Sequence, residues 1–287
     1  GIQHHRSPAQ LRRSHRLTVA TLSTYPEWAP ENPILAPGKE PTLLPKQAAT
    51  PRLTANPVIN APEDTRADFL ARVYGHIGMA GAIFLAVEVL LFMSGLAERI
   101  HSFTFGSGNR MTWLLVLGGF MIASTMATKS AHKVDNISAQ YGGLVGIAVA
   151  EAVLFAPMLW VANTRETAGV NTIATAGVVT VIAIAGLTAV GYFTRRDLSP
   201  MRKYVSWGMM LALAAIAGAL IFGFNLGLWF SVAMVGLAGS SILVKTQEVV
   251  RHYPANAHVG AAVQLFASFM LLFWYVLRIF LSFSSSD

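Results

Sequence analysis

The chain has 287 residues, 54% of them hydrophobic and only 12% charged, with no cysteine. Soluble domains carry about 25% charged residues, so this is a membrane composition, and the missing thiols exclude disulfides, thiolate metal sites and cysteine nucleophiles. The net charge of +7 is not a nucleic-acid footprint, because 9 of the 21 lysines and arginines precede residue 73, outside any apolar run.

From Gly1 to Pro26 there is no acidic residue, while Arg6, Arg12, Arg13 and Arg16 sit among serines and threonines. That is the composition of an organellar transit segment and equally of an ordinary basic tail. A chain that opens on Gly1 instead of Met is expected to be a processed or trimmed form. Ten of the 13 prolines fall in the first 62 residues, which rules out a helix or a central strand there. Without a periodic apolar face the segment cannot fold alone. Stretched as polyproline II at about 3.1 Å per residue it would reach roughly 190 Å. Ordering it costs about 1–2 kcal/mol per residue, so an ordered arm requires a surface to lie on. Residues 1–66 are therefore expected to be a Pro-rich basic arm, and residues 67–287 a transmembrane domain.

Seven apolar segments follow, each close to the roughly 20 residues a bilayer requires. They run from Val73 to Leu96, Met111 to Thr128, Tyr141 to Val161, Thr172 to Phe193, Tyr204 to Gly223, Leu228 to Val244 and His258 to Leu281. Short connections predict that sequential helices are neighbours. Small residues such as Gly75, Gly78 and Ala82, Ala215 and Gly218, and Gly236 and Gly239 predict faces of close helix approach. Loops 2–3, 4–5 and 6–7 hold eight basic residues and the alternate loops three. The basic arm lies on the eight-charge side, which predicts an inside N-terminus and an outside C-terminus.

Ionisable residues within the spans are few: His76 and Glu88 in the first, Glu151 in the third and Arg278 near the end of the seventh. A charge at such depth costs about 2.5–3.5 kcal/mol on insertion scales, so Glu88 and Glu151 are expected to face the protein interior. They are either relay groups or neutral, hydrogen-bonded carboxyls. His76 has no second histidine at evident similar depth, which argues against a haem. The sixth span ends on Lys245-Thr246-Gln247, where a lysine reads most simply as a flank in contact with lipid headgroups. No phosphate loop, HExxH or nucleophile motif occurs, and no enzymatic activity is expected.

Phe69-Leu70-x-x-Val73-Tyr74 opens the first span, and Thr194-Arg195-Arg196-Asp197-Leu198-Ser199 follows the fourth. Thr246-Gln247 follows the sixth, and Leu265-Phe266, Leu272-Phe273, Tyr275 and Leu277-Arg278-Ile279 lie in the seventh. In this order the chain resembles the Bax-inhibitor family, the transmembrane Bax inhibitor motif proteins, over about residues 69–281. Phe155-Ala156-Pro157 looks more like the mitochondrial, growth-hormone-inducible transmembrane protein branch than the bacterial one. The resemblance implies an all-α bundle of seven helices with the last enclosed by the others. It also implies a pH-sensitive cation leak or exchange carried by two aspartates, one before Thr-Gln and one midway along the last helix. Here those positions are Lys245 and Ser268, and the family's nearby asparagine position is Leu271. Both carboxylates are replaced, one by the opposite charge.

The expectation is a structural accessory subunit of a large mitochondrial inner-membrane complex, a respiratory-chain complex first and ATP synthase next, derived from a channel that has lost its ion-sensing aspartates. Its N-terminus would lie in the matrix and its C-terminus in the intermembrane space. Its partners would be other subunits, reached through residues 1–66 and lipid-facing helices, and membrane lipids, with no nucleic acid. No cofactor is expected beyond bound phospholipid, with cardiolipin the candidate, and no metal. Arg195, Arg196, Arg202, Lys203 and Lys245 would meet lipid headgroups. The alternative is an active pH-sensitive cation channel or exchanger using Glu88 and Glu151. A third reading is a bacterial or endoplasmic-reticulum stress-regulatory homologue whose tail recruits soluble partners.

Overall fold

The computed structural model describes residues 57–106, 110–164 and 171–283. Most of the expected Pro-rich arm, residues 1–56, lies outside the described residues. After a short 3-10 turn, Val58–Asn60, come the helices α1 (Glu63–Met93), α2 (Leu96–His101), α3 (Arg110–Ala131), α4 (Ile137–Thr164), α5 (Thr172–Phe193), α6 (Ser199–Phe222), α7 (Gly227–His252) and α8 (His258–Phe283). All but α2 are long and apolar enough to cross a bilayer, seven among the described residues.

Local chemistry sets most ends. Pro62 precedes α1, and its fixed φ suits a helix start. Glu63 and Asp64 then occupy the first turn, at the positive end of the helix dipole. The helix thus begins well before Val73, with exposed polar first turns and burial from Phe69 onward. Asn171 caps α5 by accepting from the Ala174 N–H at 2.8 Å, and Asn136 does the same for Ala139 ahead of α4 at 2.9 Å. Gly95 and Gly223, with φ of 70° and 78°, end α1 and α6 in the left-handed conformation that side chains avoid. The short α2 and the π-helical turn Ser102–Gly106 after it are too brief for a periodic signal and were not expected. Aromatic stacking holds them down, His101 on Trp160 at 4.4 Å and Phe105 on Trp113 at 5.3 Å.

The packing order differs from the chain order. α8 touches α1, α3, α4, α5 and α7, and α4 touches α1, α2, α3, α5 and α8, so two helices share the centre. Sequential neighbours hold for α3 with α4, α6 with α7 and α7 with α8. In contrast, α5 lies on α7 and α8, and α1 lies on α4 and α8. Phe155 of α4 is the hub, edge-on to Phe84 of α1 at 5.5 Å and against Phe273 and Trp274 of α8 at 5.4 and 5.0 Å.

The expected small-residue faces are mostly not the contact faces. A side chain at Gly75, Gly78 or Gly236 would meet nothing within 4 Å, one at Gly218 would only just reach Phe224, and Gly239 alone of these glycines lies against another helix, at Leu187. The close approaches are elsewhere. Gly143 lies against the Ala127 and Ala131 backbone of α3, Gly191 against Leu243 and Thr246 of α7, and Gly260 against Ala131 and His132. Ala148, Ala152 and Ala156 form a fully buried row on α4. Small side chains let helices approach in lipid, but a stripe of them on one helix does not say whether it faces a neighbour or a tail.

Candidate functional site

The expectation that the sixth span ends at Lys245 is corrected: α7 continues through Lys245-Thr246-Gln247 to His252. Thr246, Gln247 and Val249 are buried, so the last turns face protein, where Gln247 finds partners that lipid would deny it. Lys245 turns inward with them. Its ammonium donates to the Ser268 hydroxyl at 2.8 Å and to the Gln264 carbonyl at 3.3 Å. Ser268, 2% exposed, also lies 3.4 Å from the Ser241 hydroxyl and donates to the Gln264 carbonyl at 3.3 Å. Lys245 is therefore not placed as a headgroup contact. The structure brings together the two positions at which the chain carries a lysine and a serine, 23 residues apart in sequence. Leu271 lies aside, packed with Ala212, Met234 and Tyr275.

Glu88 and Glu151 face the interior, 6% and 4% exposed. Lys245 forms no ion pair with either one; the ion pairs among the described residues are Arg66–Glu63, Arg202–Glu248 and Arg251–Asp197. Both Glu88 oxygens are buried with no hydrogen-bond partner. Glu88 stands one turn beyond Phe84 on α1 and Glu151 one turn before Phe155 on α4, and the two rings touch. The carboxyls thus lie to either side of that aromatic contact. His76 donates through Nδ1 to the Arg72 carbonyl at 2.6 Å and accepts at Nε2 from Tyr141 at 2.9 Å. Its ring centroid is 5.0 Å from that of His258. A second histidine does stand at its level, at the first turn of α8, where sequence position alone placed it at a helix end.

The connection between α5 and α6 is stapled to α7. Gln247, 4% exposed, accepts from the Leu198 N–H at 2.6 Å and donates to the Arg196 and Thr194 carbonyls at 2.8 and 3.3 Å. Arg251 donates to the Arg195 and Thr194 carbonyls at 3.1 and 3.4 Å. The Ser199 backbone N–H and hydroxyl, and then the Arg251 charge, hold the Asp197 carboxyl below its usual range. The backbones of Arg195 and Arg196 are therefore fixed while both side chains are exposed. Lys203 is exposed as well, and Arg202 is paired with Glu248 at 3.1 Å. Gln247→Ala strips a buried N–H and two carbonyls of their partner, worth about 1–3 kcal/mol. Trypsin cleavage after Arg195 and Arg196 is expected to become about tenfold faster in this variant; an unchanged cleavage rate would sink the assignment.

Sequence reasoning missed Gln247 and Gln264 as working side chains. Their signal was present, because an uncharged amide inside an apolar helix is costly unless bonded. With a single chain, however, nothing paired either glutamine with the loop or the helix that satisfies it.

A sequence model of the family described as inhibitor of apoptosis-promoting Bax1 matches residues 66–285 of the chain. No curated protein matches it, and no solved structure does.

Proposed function

This chain belongs to the Bax-inhibitor family, and from that premise we propose that it is a structural accessory subunit of a large mitochondrial inner-membrane complex, of the respiratory chain foremost. The observation that carries the reading is the 2.8 Å contact between Lys245 and Ser268. The family resemblance places two aspartates at these positions, and here a tethered ammonium fills the site with its own positive charge. Calcium takes six to eight oxygen ligands, carboxylates foremost; a lysine supplies none and repels the ion. The fold then remains as a membrane body without its carrier groups. The transit-like composition of the first 26 residues supports the mitochondrial assignment. The Pro-rich segment supplies a tether, and exposed Arg195, Arg196 and Lys203 supply contacts for anionic headgroups, cardiolipin among them. In this reading the tether and basic loops lie on the matrix side.

Two measurements test this, the first on mildly solubilised membranes and the second on the purified chain. In mild-detergent native gels it is expected to migrate within a stable assembly far larger than its 30.8 kDa, and to leave it when residues 1–56 are removed. Reconstituted into liposomes, it is expected to pass no cation above the empty-vesicle leak between pH 5 and 8. A free monomer in the gel would overturn the proposal. The buried, unpartnered Glu88 carboxyl favours one competing reading, a cation channel using Glu88 and Glu151; pH-dependent flux abolished by Glu151→Gln would establish it instead.

A further inference from the structure

The root of the arm is fastened to the turn between α7 and α8. Pro57 pairs with Pro254 in an antiparallel bridge, and the Val58 N–H donates to the Tyr253 carbonyl at 2.9 Å. Val58 itself is 2% exposed and belongs to the main apolar cluster; its turn packs against α7 and α1. So complete a burial specifies the position of Val58.

From the same tyrosine a second set of contacts runs inward. The Tyr253 hydroxyl donates to the Gln264 side-chain oxygen at 2.5 Å and lies 3.1 Å from His132 Nε2. His132 is held in turn by donating through Nδ1 to the Thr128 carbonyl at 2.7 Å. The Gln264 carbonyl accepts from Lys245, and Lys245 holds Ser268. Four hydrogen bonds therefore run from the arm's root to the lysine–serine pair: Val58 to the Tyr253 carbonyl, the Tyr253 phenol to the Gln264 side chain, and Lys245 to the Gln264 carbonyl and to Ser268. Burial, and then the Glu248 charge, push the Tyr253 phenol up to about 12. A raised phenol contributes fully below its ordinary value near 10 and loses that contribution as pH rises through 12, so it stays a donor at any physiological pH.

We propose that Pro57–Ala61 is a latch that holds the α7–α8 turn closed over the Lys245–Ser268 pair, so that tension or engagement on the N-terminal arm is transmitted to that pair. Only the identity of what engages the arm rests on the accessory-subunit reading; the latch is a property of the isolated chain. The mechanical logic is short. Seating Val58 fixes the Tyr253 carbonyl, the fixed backbone aims the phenol at the Gln264 side chain, and the phenol so ties the turn to the stretch of α8 whose main-chain carbonyl at Gln264 meets the ammonium. Withdrawing Val58 removes the backbone constraint and leaves the turn, with Ala255 and Asn256 exposed, held by the Tyr253 phenol and by the Ala257 N–H on the Pro254 carbonyl.

The test is hydrogen–deuterium exchange on the full-length chain in mild detergent, together with reductive methylation of Lys245. Val58→Asp places a charge in the apolar seat. It is expected to raise exchange across Tyr253–Gln264 at least about tenfold and to expose Lys245 to methylation, while Val58→Ile leaves both at wild-type values. Tyr253→Phe keeps the carbonyl that Val58 uses and removes the phenol. It is expected to leave the Val58 amide protected while Gln264 and Lys245 loosen. Should the aspartate variant fail to fold, Val58→Ala creates a milder defect, about threefold in exchange over the same segment. Wild-type protection of Tyr253–Gln264 in the Val58 variants would overturn the latch. So would a Lys245 that is as protected in Tyr253→Phe as in the wild type. Neither readout depends on whether the chain enters a larger complex.

Discussion

In liposomes, the double variant Lys245→Asp/Ser268→Asp is expected to pass calcium at least about tenfold faster than the wild-type chain, whose site repels a divalent ion. The reasoning is local. The two side chains already meet at 2.8 Å, so two carboxylates at these positions would face one another across a gap that a calcium ion bridges with ligand distances of about 2.3–2.6 Å. The Gln264 carbonyl and the Ser241 hydroxyl, both in contact with the present pair, would add neutral oxygens. Without the ion, two buried carboxylates that share a site are a liability. The variant should therefore be less stable than wild type in chelator and regain stability as calcium is added, by mass action on the folded form. That shift in unfolding temperature is the more direct reading, because it reports binding independently of conduction. Lys245→Gln removes the charge without supplying a carboxylate, and is expected to bind no calcium. A folded double variant whose unfolding temperature ignores calcium would overturn the idea that the site was lost through these two residues.

The second large effect is structural. Gly143 of α4 faces the backbone of α3, where an added Cβ would clash with the Ala127 carbonyl oxygen and lie 2.6 Å from the Ala131 nitrogen. Those atoms belong to a helix and cannot swing aside as a side chain would, so α3 must retreat as a unit. Gly143→Ala is expected to cost about 2–3 kcal/mol, the upper range for overpacking, and Gly143→Leu to leave no folded protein in detergent. Gly75→Ala and Gly78→Ala are the controls. Nothing lies within 4 Å of either new Cβ, and a helical alanine is favoured over glycine by about 1 kcal/mol, so both are expected to be neutral or slightly stabilising. Thermal unfolding midpoints of the four variants decide it; a Gly143→Ala chain as stable as Gly75→Ala would refute the packing argument.

The two glycine sets explain how far the residues alone could be read. Apolar length identifies a membrane helix because the bilayer sets it, and each of the seven expected spans has its helix. The faces are harder. In water, polar residues mark the outside of a helix, but in a bilayer the outside is as apolar as the core, so hydropathy cannot separate Gly75 from Gly143. The end of the sixth span failed for a related reason. Lys245, Thr246 and Gln247 look like the edge of the membrane, yet the helix continues through them, with Lys245 satisfied by Ser268 and Gln264 and Gln247 by the Thr194–Leu198 connection.

Composition and spacing by themselves determined the class: an all-α, seven-span membrane chain preceded by a segment that cannot build a core. The order of the motifs pointed to the family. Only the tertiary structure decided that α4 shares the centre with α8, that Lys245 turns inward onto Ser268, and that Val58 seats the arm's root beside Tyr253. The physical reason is one of range. Helix length, charge and chain-breaking prolines act within a few residues and can be read in order along the chain. The partners of Lys245, Gln247 and Val58 lie 19 to nearly 200 positions away, and only the packed bundle brings them within hydrogen-bond distance.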